Sequence, residues 1–167
     1  MRRLSRLLLV ATLLFGCVGC DQLTKSFARA HLVPGVVASY AHDTVRVVYA
    51  QNPGAFLSMG AGMSPAMRAV LFQGGVGLVV LGLLIAALLW RRLRPPQIVA
   101  LSLLAASGLG NLIDRLARDG QVTDFLNLGL GNLRTGIFNV ADVVGVAGAL
   151  MLLLVRRDNA PPEPSHP

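Results

Sequence analysis

Charge is scarce in this chain: 14% of its 167 residues are Asp, Glu, Lys or Arg, against about 25% in an average soluble domain. With 54% hydrophobic residues and a mean hydropathy of +0.63, this excludes a largely disordered chain, which needs low hydrophobicity and high charge. It also argues against a soluble α/β enzyme. Cysteine is nearly absent. Cys17 and Cys20 sit together in the first apolar run, so they make no disulfide framework for distant loops, and a lone C-x-x-C is weak evidence for zinc. His31, His42 and His166 are scattered, and no metal site is expected. Lys25 is the only lysine. Its local partner is Asp21 at i−4 rather than a serine, so no Ser-Lys dyad is evident. The sequence also lacks a Gly-x-Ser-x-Gly elbow, a His-Glu-x-x-His pair and a phosphate-binding loop.

What is present is a set of long apolar runs. Four spans are read at about 7–26, 67–90, 97–114 and 137–155. The second covers a bilayer comfortably, since about 20 residues suffice. The third is short and must tilt or borrow flanking residues such as Gln97 and Asp114. The pattern predicts an all-α integral membrane protein: four transmembrane helices with a small extracytoplasmic β-rich segment. Residues 1–157 form a single domain. The Pro-rich stretch 158–167 is expected to be a disordered cytoplasmic tail. The strand signal lies in Val45-Arg46-Val47-Val48-Tyr49, followed by turn residues Asn52-Pro53-Gly54.

The net charge is +7, from 15 Lys and Arg against 8 Asp and Glu. In a soluble protein that balance would suggest nucleic acid. Here the basic residues border apolar runs, so anionic membrane lipids are the expected partner, and no nucleic acid is. Arg2/Arg3/Arg6, Arg91/Arg92/Arg94 and Arg156/Arg157 alternate with the spans. Both termini are therefore expected in the cytoplasm, with the loops 31–66 and 115–136 outside. The Arg-rich start and short apolar stretch before Cys17 also look like an export signal ending in a lipid-modified cysteine. Three further spans exclude a simple soluble lipoprotein, and the cysteines read as small apolar residues on a helix.

Ionisable residues inside spans are costly and mark function by default. Asp142 sits in Phe138-Asn139-Val140-Ala141-Asp142. Asn139 shares its helix face, and Gly145 and Gly148 allow close helix approach. The plainer reading pairs Asp142 with a nearby arginine. Asn111, Asp114 and Arg115 cluster at the end of the third span, where Asp114 alone could be an interfacial cap. Asp124, in Gln121-Val122-Thr123-Asp124-Phe125, is flanked by apolar residues and is expected to tuck against the bundle. If Asp124 and Asp142 meet, two close carboxylates titrate apart, so one holds a proton while the other activates water. That is the basis of aspartic peptidase chemistry.

Four blocks in order resemble the lipoprotein signal peptidase family, signal peptidase II. They are Asp21-Gln22-Leu23-Thr24-Lys25; Asn52-Pro53-Gly54-Ala55-Phe56; Gly110-Asn111-Leu112-Ile113-Asp114-Arg115 with Val122-Thr123-Asp124-Phe125; and Phe138-Asn139-Val140-Ala141-Asp142. Each block alone is weak, but four in order on four spans are specific. The resemblance covers about residues 7–155. It implies an aspartic endopeptidase of the bacterial inner membrane, acting near the outer face. Such an enzyme cuts prolipoproteins before a diacylglyceryl-modified cysteine. It implies Asp124 and Asp142 as the catalytic pair and Asn52, Gly54, Asn111, Arg115 and Asn139 as substrate-site residues. Asp21, Lys25 and Asp114 match supporting positions. No metal or organic cofactor is implied. The resemblance further implies inhibition by globomycin-like cyclic peptides, and the protein is expected to act as a monomer in contact with membrane lipids. Residues 52–56 could close as a lid. Two features depart from the family: Thr123 replaces an aliphatic residue and could hydrogen-bond a carboxylate of the pair, and Arg118-Asp119-Gly120 lengthens a loop. The competing reading is a non-catalytic membrane binder or transporter subunit, which needs Asp142 or Arg115 but gives Asp124 no role.

Overall fold

The computed structural model describes residues 2–54 and 62–157, with the side chains of 156 and 157 left aside. The tail expected at 158–167, and residues 55–56 of the second sequence block, lie outside the described residues. Helix α1 spans Arg3–His31, a run free of proline and rich in Leu, Ala and Arg. At 1.5 Å per residue it is about 43 Å long, more than the roughly 30 Å hydrocarbon core. Leu32 leaves it in an extended conformation, and Pro34 and Gly35, the latter at φ +80°, turn the chain. Helix α2 (Pro65–Arg68), a π-helical stretch over Ala69–Gly75 and helix α3 (Val76–Leu89) run on as one 25-residue element. Helix α4 covers Pro95–Ala117 and α5 covers Val140–Arg157.

Three of these elements, Arg3–His31, Pro65–Leu89 and Pro95–Ala117, are long and apolar enough to cross a membrane, and Val140–Val155 is a shorter apolar helix. The chain is thus mostly helical with several apolar span candidates, as expected. The third apolar run looked short because Asn111, Asp114 and Arg115 interrupt its hydropathy; the helix itself continues through them.

Burial is inverted relative to a soluble protein. Arg6, Asp21, Lys25, Asp114, Asp124 and Asn139 are buried, whereas Phe15, Leu78, Leu89 and Leu153 are exposed. Lipid tails solvate apolar side chains as well as a core does, but they offer polar groups no partner, so the polar groups gather inside. Small residues let the helices close on one another. A Cβ at Gly145 would lie 2.5 Å from Ser107 Oγ, and one at Gly148 would lie 3.0 Å from the Ala100 carbonyl, so α4 and α5 meet nearly backbone to backbone. Arg6, one of the N-terminal basic residues, has a second duty. Its guanidinium donates to the carbonyls of Ala87 (2.5 Å), Trp90 (2.9 Å) and Ala86 (3.3 Å) at the end of α3, where the Ala86 and Trp90 carbonyls also accept the backbone N–H groups of Trp90 and Leu93.

The non-helical segments form one antiparallel sheet in the order β1 (Val37–Tyr40), β2 (Val45–Asn52), β3 (Val122–Leu130) and β4 (Leu133–Arg134). The strand expected at Val45–Tyr49 is part of β2. β3 comes from the second loop, which was read only for its aspartate motif. A register shift between Val47 and Ala50 sets Ala50 opposite Asp124 and Asn52 opposite Val122. Asn52 and Asp124 become diagonal neighbours on one face of the sheet.

Candidate active site

Each site residue is placed by a different element. Asp124 stands on β3 and is 3% exposed. The chain after β4 returns alongside β3, where Phe138 N–H donates to the Leu126 carbonyl (2.8 Å) and its own carbonyl accepts from Leu126 N–H (2.9 Å). This return sets Asn139 beside Asp124 just before α5 begins. Asn111 and Arg115 lie one turn apart on α4, and Asp142 is in the first turn of α5.

The two carboxylates predicted to meet open onto one cavity of about 310 Å³, whose wall also includes Asn52, Asn111, Arg115 and Asn139. Asp124 Oδ1 accepts from Asn139 Nδ2 (2.6 Å) and its Oδ2 accepts from Asn52 Nδ2 (3.1 Å). Asp142 Oδ1 accepts from Asn111 Nδ2 (3.0 Å), and its Oδ2 accepts from the Asn139 backbone N–H (3.1 Å). Asn139 Nδ2 also donates to Asn111 Oδ1 (3.1 Å). The carboxylates are therefore joined through two asparagine side chains. Burial pushes the Asp124 carboxyl up to about 6, opposed by the Asn52 hydrogen bond and reinforced by the nearby charge of Asp142.

A second polar layer lies behind the cavity. Lys25, fully buried, donates to Asn111 Oδ1 (2.8 Å) and pairs with Asp21 (2.9 Å) and Asp114 (3.6 Å). Asp21 Oδ1 accepts the Ala141 N–H (2.9 Å), satisfying an orphan donor in the first turn of α5. Asp114 is no interfacial cap: its Oδ2 accepts the Thr123 N–H (2.9 Å), which ties α4 to β3 beside Asp124. Thr123 does not bond to either cavity carboxylate. Its hydroxyl accepts from Arg29 on α1 (3.2 Å).

Arg115 donates to the Gly54 carbonyl (2.8 Å), and its guanidinium lies 5.6 Å from the centre of the Phe72 ring on the π-helical stretch. Gly54 N–H donates to Asn52 Oδ1 (2.9 Å). Gly54 thus enters the site through its backbone, as an anchor for Arg115. Residues 55–61 lie outside the described residues, so the lid expected at 52–56 is represented here only by its first three residues. Sequence reasoning missed the stretch Thr135–Ile137, which lines the cavity together with Phe138, Val143 and Val146. Its only signal was its place just before the Asn139 block. Among the described residues, no group of three or more His, Cys, Asp or Glu side chains is disposed to hold a metal ion.

Residues 13–156 match the family described as Signal peptidase (SPase) II. The chain belongs to the signal peptidase II family. It is 34% identical over 152 residues to the lipoprotein signal peptidase of Bifidobacterium longum, covering 84% of this chain and 77% of that one. It is 33% identical over 157 residues to the lipoprotein signal peptidase of Desulforapulum autotrophicum, covering 91% of each. A solved structure titled as a bacterial membrane enzyme superposes with a TM-score of 0.80 at 22% identity, covering 95% of this chain and 93% of that chain. That likeness speaks for the fold: a multi-pass membrane protein, in keeping with the apolar helices.

Proposed function

We propose that this protein is an aspartic endopeptidase that removes the signal peptide from prolipoproteins, hydrolysing the bond before the diacylglyceryl-modified cysteine. Family membership supports the reaction class. The observation that supports the mechanism is the pair Asp124 and Asp142 on one cavity wall, each carboxylate taking two hydrogen bonds and the two joined through Asn139 and Asn111. Asp142, at the N-terminus of α5 where a helix favours negative charge, is the base. It takes a proton from water, and the hydroxide attacks the scissile carbonyl carbon. Asp124 carries the second proton and gives it to the carbonyl oxygen. On collapse, Asp142 protonates the departing amine and Asp124 recovers its proton from the diol. Asn52, Asn111, Asn139 and Arg115 hold the substrate's polar groups. Gly54 holds Arg115 in place. Asp21, Lys25 and Asp114 support the carboxylate wall. A binder would have no need of paired carboxylates.

The domain runs over residues 1–157 with four spans, both termini in the cytoplasm, and the sheet and cavity at the outer face of the inner membrane. The positive clusters at Arg2/Arg3/Arg6 and Arg91/Arg92/Arg94 support that orientation. The flanking apolar residues Leu128, Ile137, Val143 and Val146 on the cavity wall suit an apolar signal segment arriving from lipid. They also suit a globomycin-like cyclic peptide. The enzyme acts as a monomer. The test is mass spectrometry of products from purified protein given diacylglyceryl-modified and unmodified prolipoprotein. The expected result is a single cut before the cysteine in the modified substrate. A cut elsewhere, or none by folded protein, contradicts the proposal.

A further inference from the structure

The buried ammonium of Lys25 touches no cavity surface, yet it faces the side chain that touches Asp142. It donates to Asn111 Oδ1 at 2.8 Å, and Asn111 Nδ2 donates to Asp142 Oδ1 at 3.0 Å. An amide has one accepting end and one donating end, and an ammonium can only donate. Lys25 therefore compels Asn111 to turn its oxygen inward and its nitrogen toward Asp142. The same oxygen accepts from Asn139 Nδ2, which also reaches Asp124. With the Asn111 amide reversed, its nitrogen would face Lys25 and its oxygen would face a carboxylate, so both contacts would be repulsive.

We propose that Lys25 is a positioning residue for the peptidase reaction, fixing through Asn111 the direction of every hydrogen bond along the chain Lys25–Asn111–Asp142 and Asn139–Asp124. The inference rests on the two aspartates being the catalytic pair. It goes beyond neutralising Asp21 and Asp114, which Lys25 also does. The charged groups around this chain are Asp21 on α1, Asp114 and Arg115 on α4, Asp124 on β3 and Asp142 on α5. Arg29 (3.7 Å) and Arg118 (3.9 Å) remain near Asp114 when Lys25 is replaced.

Neutralisation and orientation separate in two double variants of the full chain, Asp21→Asn/Lys25→Met and Asp21→Asn/Lys25→Gln. Both remove the ion pair with side chains of similar size, and Asn at 21 can still accept from Ala141. Only Gln at 25 retains a donor for Asn111. The expected result is equal melting temperatures, KM within about twofold of wild type, and kcat lowered roughly 10–100-fold in the Met variant, with much of it recovered in the Gln variant. Equal kcat in the two doubles would overturn the proposal. Unfolding of both would overturn it too, since the pair would then have a structural role that neutral isosteres cannot fill. Cleavage retained by an Asp142→Asn control would instead sink the aspartate pair itself, a separate outcome.

Discussion

Asn139 and Asp142 hold each other twice: the backbone N–H of Asn139 donates to Asp142 Oδ2, and the backbone N–H of Asp142 donates to Asn139 Oδ1, both at 3.1 Å. This reciprocal pair has the form of a capping box at the start of α5. The residue that begins the helix thus also fixes one carboxylate of the cavity, and its Nδ2 reaches the other.

Replacement of Asn139 separates these duties. Asn139→Ser keeps an acceptor for the helix start but loses the amide that reaches Asp124 and Asn111. The expected result is a melting temperature near that of wild type with kcat down at least about tenfold. Asn139→Ala should also lose the cap, at about 1 kcal/mol. Melting curves and cleavage rates on the same preparations check both.

As the proposed proton carrier, Asp124 should set the alkaline limb of the pH–rate profile. A carboxyl raised to about 6 keeps its proton well above the ordinary carboxylate range, then loses it as pH rises through about 6. Cleavage that needs that proton falls in the same window. The Asn52 amide favours the ionised form. Asn52→Leu should therefore hold the proton longer and move the alkaline limb to higher pH. A limb that stays put, or moves down, contradicts the assignment of Asp124 as proton carrier.

Gly110→Ala sets two effects against each other. Alanine favours a helix interior by about 1 kcal/mol over glycine. Its Cβ would lie 2.7 Å from Asp21 Oδ2 and 3.3 Å from Ala141 Cβ. Asp21 cannot swing away, because it holds Lys25 and the Ala141 N–H. Overpacking at about 1–3 kcal/mol outweighs the propensity gain. A lowered melting temperature in detergent is expected.

Arg6→Leu removes the side-chain donor to three carbonyls at the end of α3, and leaves that of Ala87 without its guanidinium partner. The melting temperature should drop. The kcat of the folded fraction should stay unchanged, because Arg6 caps α3 and has no contact with the cavity.

Much of this was legible in the sequence, for identifiable reasons. The apolar runs announced the helices because lipid-facing residues need no periodicity. Asp21 and Lys25 were legible as a pair at i−4, and their contact is 2.9 Å. Asn139, Asp142 and Gly145 announced a packed face of α5 through three-residue spacing. β3 was not legible as a strand, because Asp124, Asn127 and Gly129 weaken its strand propensity and only pairing with β2 defines it. The π-helical stretch at Ala69–Gly75 left no pattern beyond two glycines at its end. Thr123 could have met a carboxylate of the pair as far as the sequence went; once β3 is a strand, alternation turns it to the face opposite Asp124, where its hydroxyl accepts from Arg29. The Lys25–Asn111 contact joins residues 86 positions apart, a distance no local spacing encodes.

The central claim is that Asp124 and Asp142 act together, and cleavage of diacylglyceryl-modified prolipoprotein by wild type, Asp124→Asn and Asp142→Asn tests it most directly. Each substitution nearly preserves volume and keeps one of the two acceptors that the surrounding N–H donors meet. With folding verified for all three proteins, the account predicts cleavage by wild type alone; cleavage surviving in either variant would contradict it.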